Sequence, residues 1–314
     1  MKKKFAIILI TVALVGGANL GLVKAEPFQF SSGIITETEA ENILSEETLT
    51  PIATLIQTPT PVRTEVIPTA TPEPWKPPDL ANYKDLLEFC GQSQVDSTLW
   101  RYRLNQLTFI SDVSANAQEQ LSDDVRIVPS CNFALENEPR AIVLHYTEGS
   151  LEATISTFQQ PHNSSAHYVI DRDGKVYQLI PERFTAFHVT CYGDRNLCIP
   201  SCPICSDQSG GFVEPRTQSI GIELVNQGHI DPRYFKGEIY EDYSNAFGYR
   251  FWEDYTMAQI ESLKVVVEDI QIRWKIPDSM IIGHSRINNN VDPGPALNIF
   301  WQRYGFPTRI PVFR

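Results

Sequence analysis

Six histidines are spread over the 314 residues, and two of them close short apolar runs: His145 in "AIVLHYT" and His284 in "IIGHSRINNNVDPGP". In the same stretch as the second, Asp292 stands directly before Pro-Gly-Pro. Zinc accepts imidazole nitrogen and carboxylate oxygen, and a catalytic zinc site uses three protein ligands with one position open. His145, His284 and Asp292 make such a set if the two runs are neighbouring parallel strands. Both histidines then leave the same sheet edge, and the turn folds Asp292 back towards them. The plainer alternative is a pair of hydrogen-bonded structural histidines and an ordinary Asp292-Pro293-Gly294 turn.

Glu223, in "SIGIELVN", supplies the next part. Strand periodicity puts it opposite Ile220, Ile222 and Leu224, and a carboxylate among apolar residues is costly to bury without a partner or a task. One reading is a salt bridge or a solvent-facing position. The other is a general base that takes a proton from water activated by zinc and passes it to a leaving amine. No HExxH motif occurs in the chain, which removes the commonest metalloprotease class.

Positioning these groups falls to alternating strands and helices. Residues 141–147 form a short apolar run, as expected of a strand buried on both faces. Residues 150–160 read as a helix capped by Ser150, and 166–181 as two strands joined at a tight Asp173-Gly174 turn. Another strand covers 219–226. The strongest helix follows over 256–274, with Thr256 and Gln259 in a capping-box pattern. Pro277 closes it, "MIIGH" is the last strand, and Ala296–Tyr304 is expected to be a short final helix. This pattern predicts one α/β (α+β) domain, a central mixed sheet flanked by helices.

The remainder of the chain sets the context. Residues 1–25 have three early lysines, an apolar run and small residues up to Ala25. That is the layout of a secretory signal, with an uncleaved membrane anchor as the alternative. Residues 26–79 are Thr/Pro-rich, in keeping with an extended linker. Residues 80–136 read as an N-terminal extension packed on the catalytic domain at 137–314. The formal net charge is −12, and losing Lys2, Lys3, Lys4 and Lys24 with the signal makes it more acidic still. Such a balance argues against nucleic-acid or anionic-membrane binding. Six cysteines in an exported chain read first as disulfides. Cys90 and Cys131 stand apart and could pair with each other.

"IVLHYT", "SSAHYVIDRDGKVYQLIPE", "SIGIELVNQG", "IIGHSRI" and "VDPGPAL", in this order, resemble the zinc-dependent N-acetylmuramoyl-L-alanine amidases. The family includes bacterial cytoplasmic and outer-membrane amidases, short phage amidases and animal peptidoglycan recognition proteins. The resemblance runs from about Pro139 to Phe306. It implies cleavage of the amide between N-acetylmuramic acid and the L-alanine of the stem peptide, with peptidoglycan or muropeptides as partner and Zn2+ as cofactor. The export signal makes the expected product a secreted or cell-surface protein, expected to be a monomer. By position it makes His145, His284 and Asp292 the metal ligands and Glu223 the catalytic glutamate. His167 and His188 fall on residues expected to contact substrate, with a structural role as the alternative for each.

Two departures from the family pattern stand out. The amidases closest in motif carry a lysine or arginine two residues before the ligand aspartate, where this chain has Asn290. A neutral amide steadies an oxyanion less than a cation does, so this concerns rate rather than reaction type. The second is the insertion at 191–218, with Cys191, Cys198, Cys202 and Cys205. Its cysteines could form two disulfides or hold a structural zinc, and either would build a rim beside His188. A non-catalytic peptidoglycan-binding module is the alternative function, and action on another amide is a third. "NSS" at Asn163 and the aromatic-rich stretch 233–255 carry no assignment.

Overall fold

The computed structural model of the protein describes residues 75–91, 97–207, 209–245 and 247–297. The expected export signal, most of the Thr/Pro-rich linker and most of the final helix lie outside the described residues. In chain order the strands are β1 (Arg126–Ile127), β2 (Phe133–Ala134), β3 (Ala141–Tyr146), β4 (Tyr168–Ile170), β5 (Val176–Gln178), β6 (Thr185–Ala186), β7 (Ser219–Leu224), β8 (Ile239–Glu241), β9 (Phe251–Glu253) and β10 (Ile281–Gly283). The α-helices are α1 (Lys84–Cys90), α2 (Ser97–Leu104), α3 (Ala115–Gln118), α4 (Leu151–Phe158) and α5 (Met257–Trp274).

Six strands form the main sheet in the order β1-β5-β4-β7-β3-β10. β4 and β5 are antiparallel, as expected of a hairpin. The β7, β3 and β10 strands run parallel, so the sheet is mixed. Every residue of β3 and of β7 is buried, which is why both read as near-continuous apolar runs.

Alternation along these strands sorts their side chains into two faces. Ile142, Leu144, Ile220, Ile222 and Leu224 pack against Ile260, Leu263, Val266, Val267 and Ile270 of α5. Thr256 caps this helix with the full capping box, and Lys275 ends it in the left-handed region at φ 57°. The opposite face is divided. Val169 and Tyr177 pack with Phe158 of α4 and with Tyr83 and Leu86 of the extension. Ala141, Val143 and Ile282 pack with the cysteine-rich insertion. Between these two apolar clusters runs β7, whose residues on that side are Ser219, Gly221 and Glu223. A polar strip is thereby left inside an otherwise apolar fold.

The extension is more than a cover. Its β1 adds to the sheet edge beside β5, and the Cys90–Cys131 disulfide ties α1 to the segment after β1. Asp112 accepts hydrogen bonds from the Glu182 main-chain N–H at 2.8 Å and from Gln178 Nε2 at 2.5 Å. Glu182, fully buried, is ion-paired to Arg273 of α5 and accepts from Tyr168 Oη at 2.7 Å and Trp274 Nε1 at 2.6 Å. In the insertion, Cys191 pairs with Cys198 and Cys202 with Cys205. The cysteines are therefore arranged as disulfides rather than as metal ligands.

Candidate metal centre and groove

β3 and β10 are parallel neighbours with Gly283 opposite Leu144. The residue after each of these is a histidine, His145 still within β3 and His284 just past the end of β10, and both leave the same edge of the sheet. Glycine at 283 has a packing reason. A Cβ there would stand 2.6 Å from Pro293 Cδ, so only glycine lets the following turn fold flat against the strand end. Asn290 holds that turn by accepting from the main-chain N–H of Val291 at 2.6 Å and of Asp292 at 3.3 Å. Ser285 N–H donates to the Asp292 carbonyl at 3.1 Å, and Tyr255 Oη to that of Pro293 at 2.8 Å.

These contacts deliver Asp292 to both histidines. Its Oδ2 lies 2.8 Å from His145 Nδ1, and its Oδ1 lies 3.2 Å from His284 Nδ1. One ligand atom from each of the three residues falls within 4.8 Å of the others, the spacing of donors that share an ion. Among the described residues, Glu223 Oε2, His284 Nε2 and Asp292 Oδ1 at this site are buried with no hydrogen-bond partner. Orphaned buried atoms of this kind carry a desolvation cost, and a cation with its water would satisfy them. An imidazole–imidazole–carboxylate set fits zinc.

The electrostatics follow from burial. Burial pushes His145 below the ordinary imidazole range, against the opposing hydrogen bond and charge of Asp292, so the ring is neutral. Burial alone would raise Asp292, but the neighbouring His284 and the close contacts of both imidazoles outweigh it together and keep the carboxylate ionised. Glu223 is pushed well above the ordinary carboxylate range by burial, then by the charges of Asp292 and Glu148. Neutral nitrogen and ionised oxygen are the protonation states a metal requires of its ligands.

His145, His188, Glu223, His284, Asn290 and Asp292 line one groove. His145 and Glu223 are register partners on β3 and β7, so they share a face. His188 comes from the segment after β6 and lies over Gly221, where an added Cβ would stand 2.3 Å from its ring. Its Nδ1 is 3.0 Å from His145 Nε2 and its Nε2 is 3.2 Å from Ser219 Oγ.

The expectation that His167 contacts substrate needs correction. The ring is fully buried and is not among the residues lining the groove. Its Nδ1 accepts from the Gly221 main-chain N–H at 3.0 Å and its Nε2 donates to the Phe184 carbonyl at 2.9 Å. Burial lowers it to about 4, a neutral ring that ties β4 to β7 and the β6 region. Asn290 carries a second duty beside the turn, with Nδ2 3.1 Å from His284 Nδ1.

Ser219 and Gly221 escaped the reading of the sequence. The signal for Gly221 was present: a glycine inside a buried strand marks close approach of another group. Tyr146, which also lines the groove, adds a buried hydroxyl without a hydrogen-bond partner.

Comparison with known proteins bears on this geometry. A family model described as N-acetylmuramoyl-L-alanine amidase matches residues 135–295. N-acetylmuramoyl-L-alanine amidase AmiD of Escherichia coli (strain K12) is 25% identical over 173 residues, 52% of this chain and 51% of that protein. N-acetylmuramoyl-L-alanine amidase A of Achromobacter lyticus is 39% identical over 62 residues, 19% of this chain and 35% of that one. The matched region thus spans about half the length of the first relative and about a third of the second. A solved complex of the E. coli AmiD amidase with the substrate anhydro-N-acetylmuramic acid-L-Ala-D-gamma-Glu-L-Lys aligns at 24% identity. That alignment covers 54% of this chain and 57% of that one, with a TM-score of 0.38.

Proposed function

The chain belongs to the N-acetylmuramoyl-L-alanine amidase family, and from that premise we propose that it is a zinc-dependent hydrolase cutting the amide between N-acetylmuramic acid and the L-alanine of the peptidoglycan stem. One observation carries the reading: His145, His284 and Asp292 bring ligand atoms within 4.8 Å of one another in the groove that Glu223 also lines. When bound, zinc supplies Lewis acidity, polarising the amide carbonyl and acidifying water.

The chain's own residues supply the rest. His145, His284 and Asp292 would hold the ion. Glu223, on the same sheet face as His145, receives the proton of the attacking water and delivers it to the leaving amine of L-alanine. A cation in the groove opposes the charges that raise Glu223, which favours the ionised form a base needs. Asn290 offers an amide N–H to the negative charge that develops on the former carbonyl oxygen. Thr157 and Ser164 line the same groove and offer hydroxyls to the stem peptide. The Cys90–Cys131, Cys191–Cys198 and Cys202–Cys205 disulfides favour an oxidising, extracytoplasmic setting.

The test uses a defined muropeptide and mass spectrometry. Zinc-loaded protein should release the free stem peptide, stop when a chelator strips the ion, and recover on adding zinc back. Intact muropeptide beside a fully zinc-loaded sample would sink the hydrolytic reading and favour a module that binds without turnover.

A further inference from the structure

His188 has both ring nitrogens engaged inside the protein, which leaves neither free for a ligand in the groove. Nδ1 faces His145 Nε2 at 3.0 Å and Nε2 faces Ser219 Oγ at 3.2 Å. Ser219 Oγ in turn lies 2.9 Å from the Pro215 carbonyl oxygen, to which it donates. Gly221 provides the space in which the ring lies, since any Cβ would collide with it.

The direction of this chain follows from its far end. A carbonyl only accepts, so Ser219 spends its single proton on Pro215 and presents a lone pair to His188. His188 then carries its proton on Nε2 and accepts at Nδ1. The partner at Nδ1 is His145 Nε2, which must be the protonated nitrogen of that ring. With an ion bound, His145 Nδ1 would give it a lone pair; without one, Asp292 Oδ2 at 2.8 Å can only accept from that nitrogen, so this proton order belongs to the loaded site.

Resting on the zinc reading above, we infer that His188 is a positioning residue that fixes the tautomer and orientation of the metal ligand His145 through a proton-ordered chain ending at Ser219 and the Pro215 carbonyl. Partners of metal-bound imidazoles commonly act this way, and losing one lowers metal affinity about 10- to 100-fold. Here the partner is a second neutral histidine rather than a carboxylate. His145 therefore gains orientation without a further negative charge beside the ion.

Two measurements on the full-length chain test this. Nitrogen-15 spectra of zinc-loaded, histidine-labelled protein should show His145 and His188 both protonated at Nε2. Zinc affinity, read by competition with a chromophoric chelator, should fall about 10- to 100-fold in His188→Leu and in part in Ser219→Ala. It should stay near wild type in His188→Asn, whose carbonyl oxygen still accepts from His145. Ser219→Ala keeps the test open if His188→Leu does not fold. Unchanged affinity in folded His188→Leu or Ser219→Ala, or a His145 ring protonated at Nδ1 with zinc bound, would overturn the assignment alone. Wild-type protein that takes up no zinc would overturn the metal reading and this assignment with it.

Discussion

His145 and Glu223 face each other across the parallel pair β3 and β7 as register partners, and Glu223 Oε2 has no hydrogen-bond partner. A desolvated carboxylate beside an imidazole of the proposed ligand set suits the proton transfer proposed for it. Glu223→Gln preserves size while removing the basic oxygen. It should lower turnover of a muropeptide by about 10²- to 10⁴-fold and leave zinc content at one per chain. Melting of the metal-free variant should not fall, because the substitution removes a desolvated carboxyl. Turnover within a few-fold of wild type, with zinc bound, would exclude Glu223 as the base.

Asn290 combines two tasks that substitutions can separate. Its Oδ1 holds the turn through Val291 and Asp292, and its amide N–H groups face His284 and the groove. Asn290→Asp keeps the acceptor and deletes the donors, so kcat should fall about 10²-fold as for the loss of an oxyanion donor. Asn290→Ala also loosens the turn that carries Asp292, so zinc affinity should fall as well. Steady-state kinetics paired with a zinc titration distinguish the two. Wild-type kcat in Asn290→Asp would remove the amide from the mechanism.

Much of this site was legible in the residues themselves. β3, β7 and β10 announce themselves as apolar runs, and the Thr256–Gln259 pair marks the start of α5, where the capping box forms. His145 and His284 were recognisable because each ends such a run. Other features depend on pairings that no local pattern encodes. β1 is a two-residue edge strand, too short for periodicity. Asp112 meets Glu182 only because the extension folds back across the sheet. His167 and His188 look alike as histidines near strands. One faces main chain on both sides, while the other rests on Gly221 beside the groove, and only the packing of β7 separates them.

The three disulfides should differ in what they contribute. Cys90–Cys131 spans a sequence separation of 41, Cys191–Cys198 of 7 and Cys202–Cys205 of 3. By loop-closure entropy the longest stabilises by about 4 kcal/mol and the shortest by about 2 kcal/mol. Double serine variants of each pair should lose stability in that order in chemical denaturation. The Cys191–Cys198 pair has a further local effect, because Ile199 N–H donates to the Ile287 carbonyl at 2.8 Å and Asn288 Nδ2 to that of Thr190 at 3.3 Å. Its removal should also weaken zinc binding through the turn that carries His284, whereas removing Cys90–Cys131 should leave zinc affinity unchanged.

Asp112 makes stability depend on pH in an unusual direction. Burial, then the charge of Glu182, raises its carboxyl to about 7, whereas an unfolded aspartate titrates near 3.9. Between those values the folded chain holds a proton that the unfolded chain has released, so unfolding free energy falls as pH rises from about 4 to 7. The contribution is fully present below the unfolded value and is lost as pH climbs through the folded one. Asp112→Asn removes the titration while its carbonyl accepts from Gln178 and Glu182 and its amide donates to Tyr83 Oη, now 3.3 Å from Asp112 Oδ1. The variant should therefore gain on wild type by up to roughly 1.4 kcal/mol for each pH unit across that window. Chemical denaturation at pH 4, 5.5 and 7 reads the difference directly, and a gap between the two proteins that stays constant with pH would show that Asp112 ionises normally.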